Sequence, residues 1–105
     1  MSITHGAWSH AARVLGTDYS RPAFRLALRF LRRGQRVVDK ARPHTWVASI
    51  VWVLAEDDAI IGLDYLTPRR LADELSVGLP TLRAKVPLLR AVVGYSAPRV
   101  HVDDV

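Results

Sequence analysis

The chain predicts an all-α fold: five helices bundled around one buried central helix at about 43–56. Two observations carry this. Apolar residues recur at helical spacing through most of the chain, and half of its 105 residues are hydrophobic, enough for one core. The stretch Trp46–Ala55 is apolar nearly all round, broken only by Ser49, and a helix with no polar face belongs inside a ring of others. One domain is expected over 1–94, with a C-terminal tail at 95–105.

The first helix is expected at 4–15, with Ala7, Trp8, Ala11, Ala12 and Leu15 on its inner face and Gly16 as its stop. Core packing is the expected fate of Trp8, although Trp8 and Tyr95 lie outside the strongest core patterns and can anchor an interface. Ser20 is placed to cap a second helix, with Pro22 in its first turn. That helix is expected to run over 21–41, with Ala23, Leu26, Ala27, Phe30, Leu31, Val37, Val38 and Ala41 inward. At about 100° per residue, Arg21, Arg25, Arg29, Arg32, Arg33, Arg36 and Lys40 fall on one outer stripe. No acid is interleaved at i, i+4 spacing, so the cations repel one another and the stripe calls for a partner.

Arg42 precedes a proline and is expected extended, so Pro43 opens the central helix. Its acidic exit, Glu56-Asp57-Asp58, reads as a solvated cluster, followed by Gly62 and by Ile60, Ile61, Leu63, Tyr65 and Leu66 as loop anchors. Residues 67–90 read as a helix–turn–helix. Thr67 caps the first helix, Pro68 fills a first-turn position that needs no N–H, and Leu71, Ala72 and Leu75 face inward. Ser76-Val77-Gly78 forms the turn, and Leu82, Val86 and Leu89 form the second inner stripe. Pro87 is expected to kink this helix or split it near 79–86 and 87–93. In the tail, Val100-His101-Val102 permits a short strand.

Composition narrows the chemistry. There is no cysteine, which excludes disulfides and thiolate metal sites. His5, His10, His44 and His101 are scattered, with no i, i+4 metal pair, and His44 reads as a polar surface residue. Asp57, Asp58 and Asp64 lack calcium-loop spacing, and the glycines are too dispersed to cradle a phosphate. Neither a catalytic residue nor a metal or cofactor is expected, so the protein reads as a non-enzyme. The N-terminus lacks an export pattern, and no segment reaches the roughly 20 apolar residues of a membrane span, so a cytoplasmic protein without membrane insertion is expected.

Fifteen basic residues against ten acidic ones give a net charge of +5. In the hairpin, Arg69, Arg70, Arg83, Lys85 and Arg90 outnumber Asp73 and Glu74. That balance favours a polyanion. The expected function is sequence-specific DNA binding by a transcription regulator, with Leu79, Thr81, Arg83, Ala84 and Lys85 toward the major groove. Arg83 would read guanine, while Arg69, Arg70, Lys85 and Arg90 hold phosphates. A homodimer is compatible with this, since a lone short helix reads few bases. The alternative is a protein-interaction module, an adaptor or inhibitor, that binds an acidic partner through the Arg-rich helix 21–41.

In one order, RPHTWVASIVWVLAEDDAIIGLDYLTPRRLADELSVGLPTLRAKVPLLR resembles the cyclin-like repeat of general transcription factor B proteins. Arg42-Pro43 matches the start of that repeat's buried helix. Thr67, Leu71, Ala72, Val77, Thr81, Leu82 and Arg83 match its hairpin pattern T-x-x-x-[IL]-A-x-x-x-x-V-x-x-x-T-[ILV]-R. The resemblance implies a five-helix cyclin-like fold over roughly 42–90 and, more weakly, promoter recognition. Those proteins carry two repeats and a zinc ribbon, whereas this chain has room for one repeat and lacks zinc ligands. Pro87 and the Arg-rich second helix also depart from the family.

Overall fold

The computed structural model describes residues 2–58 and 67–94. Among them the order is α1 (Ile3–Val14), α2 (Ser20–Arg33), α3 (Pro43–Asp57), α4 (Pro68–Leu75) and α5 (Leu79–Val93), with short 3-10 turns at Thr17–Tyr19 and Val38–Lys40 and no strand. The all-α expectation therefore holds. The tail, its strand and the loop anchors from Ile60 to Leu66 lie outside the described residues.

α3 is the hub, packed against α1, α2 and α5. Every residue from Trp46 to Ala55 is buried. Ser49, the one hydroxyl in this stretch, donates back to the Thr45 carbonyl at 2.9 Å, so it enters the core satisfied. Arg42 is extended, at φ −69° and ψ 152°, and Pro43 begins the helix as its chemistry requires.

α1 is rotated relative to expectation. Its buried stripe is Ile3, Gly6, Ala7 and Ala11, the last three small residues that let α2 and α3 approach closely. Trp8 lies one residue beyond that stripe and is 43% exposed, its ring edge-on to Phe24 at 6.0 Å. A bulky indole has no room in a contact built on alanine and glycine.

α2 stops at Arg33 instead of continuing to 41. Gly34 is buried at its C-terminus, its N–H donating to the Phe30 carbonyl at 2.6 Å. A Cβ there would sit 2.8 Å from that oxygen, 2.9 Å from the Phe30 ring and 3.0 Å from Val92 of α5. Beyond it the chain turns so that the Val38 carbonyl accepts the Trp46 indole N–H at 2.7 Å. A buried indole needs that acceptor. Val37, Val38 and Ala41 still rest on the core, so the apolar pattern marked burial correctly and helix wrongly. Ser20 is also not a cap: it is the first residue of α2, and its hydroxyl donates to the Trp8 carbonyl.

The last two helices follow the sequence closely. The Thr67 hydroxyl accepts from the Arg70 N–H at 3.1 Å. Ser76 ends α4 in the left-handed region, at φ 57°. Val77 is half-buried against the core, as a plug between the helices should be. Of the kink or split expected at Pro87, the split does not occur: α5 runs as one helix through it. Leu82, Val86, Leu89 and Val93 are buried on both sides of the proline, and that shared burial holds the helix together.

Pro87 is exposed and offers no N–H to the Arg83 carbonyl. Pro87→Ala is therefore expected to raise stability by about 1–3 kcal/mol, seen as a higher urea midpoint. Gly34→Ala is expected to lower it by about 1–3 kcal/mol with little change in denaturant slope, because a helix-end oxygen and a core ring cannot both yield.

Candidate nucleic-acid interface

The α4–turn–α5 hairpin is held by its end near the bundle. The His44 Nε2–H donates to the Leu75 carbonyl at 2.8 Å, satisfying one of the last carbonyls of α4. Arg13 of α1 donates to the Glu74 carbonyl at 3.3 Å and lies 3.8 Å from its carboxylate. His44 is thus a half-buried brace and not the surface residue its position suggested. Its ring meets His10 edge-on, with centroids 5.7 Å apart, a pairing invisible in the sequence because the two lie on different helices.

With that end anchored, the start of α5 faces water. Thr81, Arg83 and Ala84 are exposed, and Leu79 and Lys85 are partly exposed. On α4, Arg69 and Arg70 are exposed. Arg69 and Arg83 line one open concavity of about 540 Å³, with Val77, Leu79 and Pro80 supplying apolar wall and Asp73 the single carboxylate. The turn joining the helices sets these two guanidinium groups against a common space.

Arg90 departs from expectation. Its side chain is 13% exposed and donates to Glu56 and, at 3.1 Å, to Asp57 at the exit of α3. It braces α5 to the hub and cannot hold a phosphate without releasing two carboxylates. The acidic exit is correspondingly no free solvated cluster, since Asp58 accepts from the Tyr19 hydroxyl at 2.7 Å. Sequence reasoning missed this link because nothing in a linear charge run names a partner more than thirty residues away.

Burial raises the Asp57 carboxyl above its ordinary value of 3.8, an effect that Arg90 opposes and that Glu56 and Asp58 reinforce. A raised folded-state value means that the folded protein holds this proton more tightly than the unfolded chain. The resulting stabilisation is full below the ordinary carboxylate range and is lost as pH rises through the folded value. Asp57→Asn keeps an acceptor for Arg90 and removes the titration. Its stability relative to wild type is therefore expected to improve from pH 3 to pH 7, and urea midpoints at both pH values measure this.

The outer stripe is shorter than expected. Arg21, Arg25, Arg29, Arg32 and Arg33 are exposed along α2, whereas Arg36 sits in the turn that follows and Lys40 in the 3-10 turn Val38–Lys40. Among the described residues, no group of three or more histidines or carboxylates is placed to hold a metal ion, and no helix is long and apolar enough to cross a membrane. Comparison with known protein families, characterised proteins and solved structures finds no match to this chain.

Proposed function

We propose that this protein is a non-enzymatic, sequence-specific DNA-binding regulator that reads duplex DNA with the N-terminal half of α5. The observation that carries the reading is the placement of Arg69 and Arg83 on one open concavity, with Thr81 and Ala84 exposed beside it. A helix that buries one stripe and leaves Thr81, Arg83 and Ala84 exposed at its start is compatible with the way a recognition helix enters a major groove. The order of helices, a buried α3 followed by the α4–α5 hairpin, supports a single cyclin-like repeat containing a helix–turn–helix.

In this reading Arg83 bonds O6 and N7 of a guanine together, and the Ala84 methyl packs on thymine. Arg69, Arg70 and Lys85 contact phosphates and set the register, while Leu79 and Thr81 border the groove floor. Arg90 takes no part beyond bracing the helix. One such helix reads few base pairs, so two copies on half-sites roughly 34 Å apart complete the recognition.

The test is selection from a pool of randomised duplexes, followed by anisotropy titrations at two salt concentrations. Arg83→Ala is expected to weaken the selected duplex about 5- to 150-fold, equivalent to about 1–3 kcal/mol, and to relax one base position. Arg70→Ala is expected to weaken all duplexes alike and to flatten the salt dependence. Enrichment of no sequence, or no binding at low salt, overturns the proposal.

A further inference from the structure

Asp73 is the one carboxylate on the concavity of about 540 Å³ that Arg69 and Arg83 open onto. Neither packing nor pairing accounts for it. Its side chain is exposed, and Arg69 and Arg70, four and three residues before it on α4, form no ion pair with it. A base before an acid at i, i+4 is also the weaker order for such a pair. The adjacent Glu74, by contrast, is engaged by Arg13 of α1. Asp73 lies in the last turn of α4, which ends at Leu75, and there the helix dipole favours cations. The capping of that helix falls to Thr67. An acid at the unfavourable end of a helix, without an ion-pair partner among the described residues, lowers stability and gives the fold nothing back.

We propose that Asp73 is a specificity-determining residue that accepts from the N4 amine of a cytosine in the major groove, an inference that rests on the DNA-binding reading of α5. An ionised carboxylate only accepts. Phosphate oxygens, guanine O6 and N7 and thymine O4 are acceptors too, so each is repelled at this position. The donors on the groove edge are the amines of cytosine and adenine. Adenine carries its N7 lone pair next to the amine, which faces a carboxylate unfavourably, whereas cytosine carries a C5–H there. Cytosine also pairs with the guanine assigned to Arg83, its N4 beside that guanine's O6. One G·C pair, or two neighbouring pairs, thus satisfies both side chains from the concavity they share. A surface that only tracks phosphates gains nothing from a carboxylate at this place.

The probes are the duplex selected by the wild-type chain and a set of unselected duplexes of the same length, titrated by anisotropy. Asp73→Ala is expected to weaken the selected duplex about fivefold or more. Unselected duplexes are expected to bind as well as before or more tightly, because a charge that repels phosphate has gone. Selection repeated with Asp73→Ala is expected to lose one cytosine from the consensus and to keep the guanine that depends on Arg83. Circular dichroism verifies the fold of the variant. A second measurement leaves the protein untouched: N4-methylcytosine at the same position replaces the groove-side N–H, keeps the G·C pair and is expected to weaken the wild type. Equal weakening of selected and unselected duplexes by folded Asp73→Ala, equal tightening of both, an unchanged consensus, or wild-type indifference to N4-methylcytosine each overturns the role of Asp73. In those cases an Arg83-dependent consensus still stands for DNA reading by α5. Selection of no sequence by the wild type overturns both.

Discussion

The enclosure of α3 is the constraint on which the rest of this structure depends. A helix apolar on every side exposes too much hydrocarbon to exist alone in water, so its neighbours are arranged by what it needs covered. α1 meets it with alanines, α2 with Ala23, Leu26, Ala27 and Phe30, and α5 with Leu82, Val86, Leu89 and Val93. The ring of Phe30 leans on that of Trp46 at 4.8 Å. The same enclosure explains the early end of α2, because the Trp46 N–H is buried with the ring and draws the Val38 carbonyl to it. It also explains how α5 tolerates Pro87: burial of the apolar stripe on both sides exceeds the loss of one hydrogen bond.

Charge is sorted by the same packing. Glu74 is engaged by Arg13, Glu56 and Asp57 by Arg90, and Asp58 by Tyr19. These carboxylates sit where helices join, so they tie elements together and are absent from the outer sides of α2 and of early α5. The net charge of +5 therefore does not spread evenly. Among the described residues, cations gather on two surfaces, one a concavity between helices with two guanidinium groups beside the apolar wall of Val77, Leu79 and Pro80, the other the outer side of α2.

Much of the candidate interface was legible in the linear chain. Thr67, Pro68, Leu71, Ala72, Leu75 and Val77 behave as their local chemistry demands, because caps, prolines and short-range apolar spacing are decided within a few residues. Thr81, Arg83 and Ala84 are exposed for the same reason: they lie off the stripe Leu82–Val86–Leu89. Arg90 also lies off that stripe, yet it is paired, and its partners come from a helix that local spacing cannot see. Trp8 shows the converse error. Hydrophobicity argued for burial, and only the closeness of the α1 contact excludes it.

Helicity, the identity of the central helix and the hairpin with its cap were determined by the sequence alone, because each follows from interactions within one or two helical turns. Tertiary structure decided where α2 ends, that α5 remains whole, which arginine is a brace and which aromatic faces water. Those outcomes depend on hydrogen bonds and ion pairs between residues far apart in the chain, and on the volume left when helices meet. A periodic pattern reports which residues seek burial; only the packed bundle reports which of them find room.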